Sequence, residues 1–171
     1  MGVPFYCRIS IIRYLFNRKF KKIAKGIKSS KVLEIGAGQL SYKRLFKDCD
    51  VTSTDLKMYQ GVDEIMDVRN LKYKDGSFDY VVCISVLEHV FDTKKAISEI
   101  RRVLKKGGVA VINTPFLYPL HDEPHDYFRF TEHAYRQMLS DFSRVEIETT
   151  SLLPFGIFRK FVLFYIVKAY K

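Results

Sequence analysis

Residues 31–40 read KVLEIGAGQL, a short apolar run that ends abruptly at two glycines. A run of this length is typical of a buried parallel strand, and the glycines indicate a tight turn after it. Gly36 and Gly38 allow positive φ angles and let a ligand lie close against the backbone. A helix after the turn would present free N–H donors to that ligand. Glu34 precedes the glycines, where its carboxylate could meet a cationic or hydroxyl-bearing group.

The spacing of the glycines separates two kinds of nucleotide site. A dinucleotide site has the pattern G-x-G-x-x-G, but here the sixth residue from Gly36 is Ser41. The acid two residues before the first glycine, in the pattern E-x-G-x-G, instead resembles motif I of class I S-adenosylmethionine-dependent methyltransferases. In that family a further glycine often follows, at the position where this chain has Leu40.

Length and composition indicate one domain. The chain has 171 residues, of which 47% are apolar and 28% charged, enough to bury a core without crosslinks. Cys7, Cys49 and Cys83 are scattered and match no zinc spacing, so we expect free thiols in a reducing compartment. No apolar run reaches the roughly 18 residues needed to cross a bilayer, and Arg8 and Arg13 interrupt any signal-peptide core. We therefore expect a cytoplasmic protein.

The net charge of +10 is concentrated at the two ends of the chain. Residues 1–31 contain nine Lys or Arg and no acid, and residues 159–171 add four more basic residues. Residues 32–158 contain 16 basic and 19 acidic residues. Basic ends around a mildly acidic body are compatible with a solvated face, an anionic membrane surface or nucleic acid.

Residues 8–28 have the periodicity of a helix, with apolar residues at three- and four-residue steps. Such a helix could pack across the domain, or it could lie at a membrane interface or over the substrate. We divide the single domain, residues 1–171, into a basic N-terminal helix (1–30), a cofactor-binding half (31–115), and a substrate loop with C-terminal strands (116–171).

The middle of the chain alternates strand and helix patterns. Strands are predicted at Val51–Thr54, Glu64–Val68, Phe78–Ile84, Val109–Ile112, Arg144–Thr150 and Phe161–Val167, and helices at Ser41–Lys47 and Thr93–Leu104. This alternation predicts an α/β, Rossmann-like, seven-stranded and mostly parallel sheet with helices on both faces. Ligand sites of such sheets lie at the carboxyl ends of the strands, where Glu34, Asp55, Asp67 and Ser85 fall.

The segment 67–115 carries the more specific resemblance. The turn DGSFD (75–79), the run VLEHV (86–90) and the segment EIRRVLKKGG (99–108) are characteristic of class I methyltransferases related to quinone-biosynthesis enzymes, the methyltransferase type 11 group. With the glycine turn and Asp55, the resemblance covers residues 31–115. It implies an antiparallel final strand and bound S-adenosylmethionine, held by Glu34, Gly36, Ala37, Gly38, Asp55, Leu56, Asp67, Val68 and Ser85.

Candidate catalytic groups lie after the fourth strand and in the segment HDEPHDYFRFTEHAYRQML, residues 121–139. Methyl transfer is an in-line displacement that requires an aligned nucleophile and often the removal of a proton. The pattern H-D-Y-F-R-F-T resembles methyltransferases that modify cell-surface glycans and small metabolites. We predict a catalytic set comprising His125 as the favoured base together with His89, His121, Asp126, Tyr127 and Arg129. A polar surface loop anchored by aromatic residues is the alternative.

A second pattern points to a metal. Small-RNA terminal 2′-O-methyltransferases and some quinone O-methyltransferases carry E-x-x-E-H after strand four and bind a divalent ion there. Glu88, His89 and His125 could fill three ligand places. The first glutamate of that pattern is replaced by Ser85, however, so we expect no metal.

These observations predict an S-adenosylmethionine-dependent methyltransferase acting on oxygen in a small-molecule, glycan or lipid-linked acceptor. The basic N-terminal helix could meet an anionic membrane surface, so the protein could be peripheral to the membrane. The alternatives are an RNA methyltransferase, which would explain the charge, and a non-catalytic binding module with the same fold. Residues 154–156 could form a lid or a dimer contact.

Overall fold

The computed structural model describes residues 11–151 and 161–171. The described helices are α1 (Ile11–Gly26), α2 (Thr93–Val103) and α3 (Glu132–Met138), with single 3₁₀ turns at Lys43–Leu45 and Leu87–His89. The strands are β1 (Lys31–Ile35), β2 (Asp50–Asp55), β3 (Glu64–Ile65), β4 (Phe78–Ile84), β5 (Leu104–Pro115), β6 (Arg144–Ser151) and β7 (Val162–Tyr170). Within the described ranges, no helix has the length and apolar character needed to span a bilayer.

All seven described strands form one sheet in the order β3-β2-β1-β4-β5-β7-β6. Strands β1 to β5 run parallel to one another, whereas β7 is antiparallel to both β5 and β6. The predicted Rossmann-like sheet with an antiparallel final strand is therefore confirmed. The carboxyl ends of β1, β2, β4 and β5 meet at one edge of this sheet, because parallel strands end on the same side.

Helices cover both faces of the sheet, as predicted. One face packs against α2 and α3, whose inward side chains include Ile100 and Tyr135. The other face packs against α1 through Phe16, Phe20 and Ala24. Alternate strand residues point to opposite faces, so Val32 of β1 meets α1 while its neighbour Leu33 belongs to the opposite core.

The helix predicted at Ser41–Lys47 was wrong. The structure has only the 3₁₀ turn Lys43–Leu45 there, because this segment is tied to β1 through Glu34. The Glu34 carboxylate accepts hydrogen bonds from the Ser41 hydroxyl at 2.6 Å and from the Tyr42 N–H at 2.5 Å. The described residues after the glycine turn therefore form no α-helix whose N-terminus could present the expected N–H donors.

Two strand boundaries also differ from the sequence prediction. Strand β3 has only two residues, and β5 begins at Leu104, five residues before the predicted start at Val109. The Lys105 ammonium bonds the Asp79 carboxylate at 2.8 Å and holds this segment beside β4. The basic residues and glycines expected to end a helix therefore open a strand. The predicted lid or dimer contact at 154–156 lies outside the described residues.

Candidate active site

The glycine turn is tied to the end of β2 by backbone hydrogen bonds. The N–H groups of Gly36 and Ala37 donate to the Thr54 carbonyl at 2.8 and 3.0 Å. The Gly38 N–H donates to Asp55 Oδ2 at 2.9 Å. Since β1 and β2 are neighbours, these contacts bring the turn and the predicted ribose-binding acid together at the carboxyl edge.

Gly36 occupies a position that no other residue fits. Its φ is +71°, and a Cβ there would lie 2.1 Å from Val86 Cγ2. A side chain would meet both backbone strain and a collision. The turn after β1 and the loop after β4 are therefore in direct contact.

Glu34 supports the turn from below. The residue is buried, and its Oε2 accepts from the Ser53 hydroxyl at 2.7 Å as well as from Ser41. Both carboxylate oxygens are thus bonded within the chain, since Oε1 accepts from the Tyr42 N–H. Glu34 does not line the cleft described below, so the structure places it beneath the ligand surface rather than on it.

A cleft runs along the carboxyl edge from the glycine turn to the loop after β5. Four parts of the fold form its walls: the glycine turn, the ends of β4 and β5, the loop after β5, and α1 together with the start of β7. The lining residues are Ile12, Arg13, Phe16, residues 36–40, Tyr42, Ile84, Ser85, Asn113, Pro115, Tyr118, His121, Asp122 and Phe164. The cleft therefore joins the predicted cofactor turn to part of the predicted catalytic segment.

Strained backbone is concentrated in this cleft. Among the described residues, the non-glycine positions with positive φ are Ser29, Ser85 and Asp122, at 46°, 52° and 52°. Ser85 and Asp122 both line the cleft. Such conformations cost about 1–3 kcal/mol each and occur preferentially at functional sites.

Asp55 and Leu56 extend the cofactor surface beyond the turn. Asp55 Oδ2 accepts from Gly38 and Oδ1 accepts from the Lys57 N–H at 3.1 Å, which leaves further lone pairs on both oxygens. Leu56 is exposed and could cover an apolar ring face. The end of β2 therefore presents a half-buried acceptor pair beside an apolar side chain.

Asp67 and Val68 are placed less favourably for the predicted adenine contact. Asp67 lies next to the end of β2, since the Met66 N–H donates to the Asp55 carbonyl at 2.8 Å. Its carboxylate binds the Arg69 guanidinium, with Nη2 to Oδ2 at 2.6 Å, and these hydrogen bonds lower the pKa of Asp67. Val68 is buried in the core. The Asp67 carboxylate is therefore paired with Arg69 in this structure.

A buried carboxylate and two imidazoles meet at the other end of the cleft. Glu88 is fully buried, and within the described residues neither of its oxygens has a hydrogen-bond partner. Its Oε1 lies 4.0 Å from Nε2 of His89 and 4.0 Å from Nε2 of His121. Burial raises the pKa of Glu88 to about 8.

The two imidazoles are oriented through their other ring nitrogens. His89 Nδ1 lies 3.0 Å from the His125 carbonyl oxygen, and His121 Nδ1 lies 3.2 Å from the Pro119 carbonyl oxygen, with Asp126 Oδ2 3.1 Å away. Because those partners only accept, each Nδ1 donates and each Nε2 keeps a free lone pair. Burial also lowers the pKa of His89, which favours its neutral form.

Asp126 and Arg129 form the support for His121. The guanidinium donates to both Asp126 oxygens, at 2.6 and 2.7 Å, and this pairing lowers the pKa of Asp126 to about 2. Asp126 also accepts from the backbone N–H of His121 at 3.0 Å. The structure therefore gives Arg129 a positioning contact with Asp126, where the sequence suggested a substrate contact.

His125 and Tyr127 point away from the cleft. The His125 Nδ1 bonds the Tyr127 hydroxyl at 2.8 Å, and both residues are exposed. Neither lines the cleft. The structure thus brings His121 to the position expected for His125. The two lie four residues apart in one loop, and the sequence offered no signal that distinguishes them.

Other cleft residues were not found by sequence reasoning. Arg13 lines the cleft from α1, and Tyr118 lines it from the loop after β5. Asn113 sits at the end of β5, and its amide donates to the Tyr165 carbonyl at 2.6 Å. The position of Asn113 at a strand end could have indicated a site. Arg13 reaches the cleft only through the docking of α1.

Comparison with known proteins agrees with this architecture. Residues 33–112 match the family described as "Methyltransferase domain". A protein of Methanocaldococcus jannaschii described as uncharacterised is 36% identical over 88 residues, which are 47% of this chain and 39% of that protein. The chain therefore spans about two fifths of that relative.

Solved structures share the whole fold at low identity. A SAM-dependent methyltransferase from Archaeoglobus fulgidus superposes with a TM-score of 0.72 at 18% identity, covering 96% of each chain. The Haemonchus contortus phosphoethanolamine N-methyltransferase 2, solved in complex with S-adenosyl-L-methionine, has a TM-score of 0.72 at 17% identity, covering 92% of this chain and 52% of that one. The match to the family described as "Methyltransferase domain" covers residues 33–112, which bear the glycine turn and Asp55, and over this part the chain is similar to S-adenosylmethionine-dependent methyltransferases.

Proposed function

We propose that this chain transfers the methyl group of S-adenosylmethionine to a hydroxyl oxygen of an acceptor bound at the His121 end of the cleft. The observation that carries the proposal is the placement of His121, which lines the cleft while its Nδ1 lies 3.2 Å from the Pro119 carbonyl oxygen and 3.1 Å from Asp126 Oδ2. An alcohol is a weak nucleophile until it loses its proton, whereas a neutral amine attacks directly. A base held in this way therefore supports an oxygen acceptor.

The reaction balances without a further reactant. The hydroxyl proton passes to the cluster of Glu88, His89 and His121, and an oxygen lone pair forms the new bond to the methyl carbon. The carbon–sulfur bond breaks, and its electron pair stays on sulfur. The products are the methyl ether and S-adenosylhomocysteine, and the proton leaves to solvent. The enzyme contributes mainly alignment and proton removal.

The cofactor would lie with its methionine part against Gly36 and Gly38 and its ribose at Asp55. The turn admits close backbone approach, and each Asp55 oxygen has capacity for a hydroxyl. Arg13, on the opposite wall of the cleft, suits the methionine carboxylate because a guanidinium binds carboxylates with two hydrogen bonds. His121 lines the same cleft as the glycine turn, so an acceptor held beside His121 would share the cleft with the cofactor.

The acceptor is proposed to be a small molecule, a glycan or a lipid-linked glycan that carries negative charge. Helix α1 closes the cleft and exposes a basic surface formed by Arg18, Lys21, Lys22 and Lys25. Lys19 of the same helix pairs with Glu148 instead. Lys21, Lys22 and Lys25 lie towards the end of α1 that leads into the start of β1, whereas the cleft is lined by Ile12, Arg13 and Phe16 of this helix. A basic surface of this kind favours anionic groups or an anionic membrane as partners. The same surface favours RNA as the second candidate acceptor.

The first test is calorimetric titration of the chain with S-adenosylmethionine and S-adenosylhomocysteine. We expect saturable binding that weakens about 10–100-fold in Asp55→Ala, since hydrogen bonds to a charged group contribute about 1.5–3 kcal/mol. Asp50→Ala is the matched control, because Asp50 begins the same strand at the opposite edge. A folded chain that binds neither compound would overturn the enzyme reading.

The second test identifies the acceptor atom. Isolated lipid, glycan and RNA fractions are incubated with the chain and methyl-labelled S-adenosylmethionine, and labelled products are analysed for oxygen or nitrogen methylation. Label on oxygen in the lipid or glycan fraction supports the proposal. Label on nitrogen overturns the oxygen acceptor, and label in RNA with a steep salt dependence selects the second candidate. Cofactor binding without labelled product indicates a binding module.

A further inference from the structure

We propose that Glu88, His89 and His121 bind one first-row divalent transition-metal ion, with open coordination positions towards the cleft. The binding site is inferred from its own geometry, and its use in catalysis rests on the proposed function. The set differs from the one considered from the sequence, because His121 takes the place of His125.

The three donor atoms are close enough to share an ion. The donor atoms of Glu88, His89 and His121 all lie within 4.8 Å of one another. Metal bonds of about 2.0–2.2 Å place neighbouring ligand atoms roughly 3.0–3.4 Å apart. The side chains therefore need to close by roughly an ångström, which small side-chain rotations provide.

The unpartnered carboxylate of Glu88 is the strongest indication of a cation site. Buried carboxylate oxygens are almost always hydrogen-bonded, and leaving them unbonded costs free energy. Neither Glu88 oxygen has such a partner among the described residues. The 4.0 Å separations from His89 and His121 are too long for hydrogen bonds. A proton shared with either imidazole therefore does not account for the arrangement, whereas an ion between the three groups does.

The orientation of the imidazoles is that of metal ligands. Ligating histidines almost always donate their other N–H to a carbonyl or carboxylate, which fixes the ring and leaves the second nitrogen free. His89 does so with the carbonyl of His125, and His121 does so with the carbonyl of Pro119, while Asp126 Oδ2 lies 3.1 Å from the same nitrogen. Asp126 is in turn held by Arg129. The second layer of contacts around the site is thus complete.

The ligand set indicates the class of ion. Two imidazoles and one carboxylate suit Zn²⁺, Fe²⁺, Co²⁺ or Mn²⁺, whereas Mg²⁺ prefers oxygen ligands. Three protein ligands leave positions for water or an acceptor hydroxyl, and His121 connects the site to the cleft. An ion there would lower the pKa of a bound hydroxyl, so the proton would pass to water while His121 remains a ligand.

The experiment is titration of the EDTA-dialysed chain with Co²⁺, followed by the visible absorption of the bound ion and by displacement with Zn²⁺. We expect one Co²⁺ per chain. Glu88→Gln and His121→Ala should each weaken binding by at least about 100-fold, and Asp126→Asn by about 10–100-fold, the range for supporting contacts. Circular dichroism of each metal-free variant checks that it folds.

His125→Ala is the matched control, because His125 lies in the same loop but its side chain bonds Tyr127. Its Co²⁺ affinity should equal that of the wild type. The proposal is overturned if the folded wild type shows no saturable binding. It is also overturned if His125→Ala loses the ion while His121→Ala keeps it.

Failure of the site and failure of the proposed function are distinguishable. Stoichiometric Co²⁺ binding without methyl transfer supports the site and counts against the function. Oxygen methylation by a chain that binds no Co²⁺ supports the function and overturns the site. Cofactor calorimetry on metal-free and Co²⁺-loaded protein separates both outcomes from loss of the cofactor site.

Discussion

Two buried glutamates near opposite ends of α2 have opposite environments. Glu99, within α2, accepts from the Leu71 N–H at 2.9 Å and from Arg102 at 2.8 and 2.9 Å. Those Arg102 hydrogen bonds lower the pKa of Glu99. Glu88, just before α2, has no described hydrogen-bond partner, and burial raises its pKa.

The difference separates a carboxylate that stabilises the fold from one that we propose to bind a ligand. Glu99 fastens the turn after β3 to α2, and both of its carboxylate oxygens accept hydrogen bonds. Glu88 remains buried because the β4 strand and the neighbouring loop fix its backbone, with its carbonyl accepting from the N–H groups of Tyr127 and Phe128 at 2.9 and 3.2 Å. Burial alone therefore does not reveal the role of a carboxylate, whereas its partners do.

The largest expected effect is on activity. Glu88→Gln should lower kcat by about 10²–10⁴-fold, the range for a group that assists proton removal, while Glu99→Gln should leave kcat near the wild-type value. The measurement is the initial rate of labelled methyl transfer at saturating cofactor. Equal losses in the two variants would abolish the distinction between the glutamates.

The second effect is on stability, and here Glu99→Gln should have a larger effect than Glu88→Gln. Glu99→Gln should lower the free energy of unfolding by about 2–3 kcal/mol, because it removes one partner of a largely buried pair. Glu132→Gln is the control, since its exposed pair with Arg136 is worth about 0.5 kcal/mol or less. Urea unfolding measures both variants. A loss in Glu88→Gln as large as that in Glu99→Gln would contradict the comparison.

The backbone provides a third contrast between the two ends of the sheet. Gly36→Ala and Gly107→Ala both force alanine into a positive φ, at 71° and 78°, but only at Gly36 does the Cβ meet another atom. We expect Gly36→Ala to cost about 1–2 kcal/mol more in urea unfolding, and cofactor affinity to fall only there. Equal costs in the two variants would mean that Val86 moves aside freely.

The smallest effect is the pH dependence of the Glu99 contribution. Its folded-state pKa lies below the usual 4.5, so its stabilisation is present above about pH 4.5 and is lost as the pH falls through the folded value. The stability difference between wild type and Glu99→Gln should shrink on acidification, by at most about 1.4 kcal/mol per pH unit. A difference that grew on acidification would show that the Arg102 contact is misassigned.

The sequence was sufficient for the sheet and for the edge that carries the site. Apolar runs and glycines mark the strand ends, and the alternation of elements fixes which ends lie together. The sequence did not predict which side chains contact each other, because those contacts depend on the paths of the loops. Glu34 is bonded by Ser41 and Ser53, and Asp67 is bonded by Arg69. A one-dimensional pattern does not reveal either contact.

The choice between His121 and His125 illustrates the same limit. Both lie in one polar segment with the same kind of neighbours, and only the path of the loop decides which imidazole reaches Glu88. Arg13 likewise enters the cleft because α1 packs on the sheet through Phe16 and Phe20. Long-range packing of this kind leaves no local signal in the sequence.

The contact between Gly36 and Val86 implies thermodynamic linkage between the two ligand sites. Val86 stands two residues before Glu88, and no room separates it from the cofactor turn. A displacement of the turn by cofactor would therefore move the segment that holds Glu88, the carboxylate of the proposed metal site. The coupling free energy is reciprocal. If the cation raises the affinity for the cofactor by some factor, the cofactor must raise the affinity for the cation by the same factor. Titrating either ligand in the presence and in the absence of the other therefore measures the coupling.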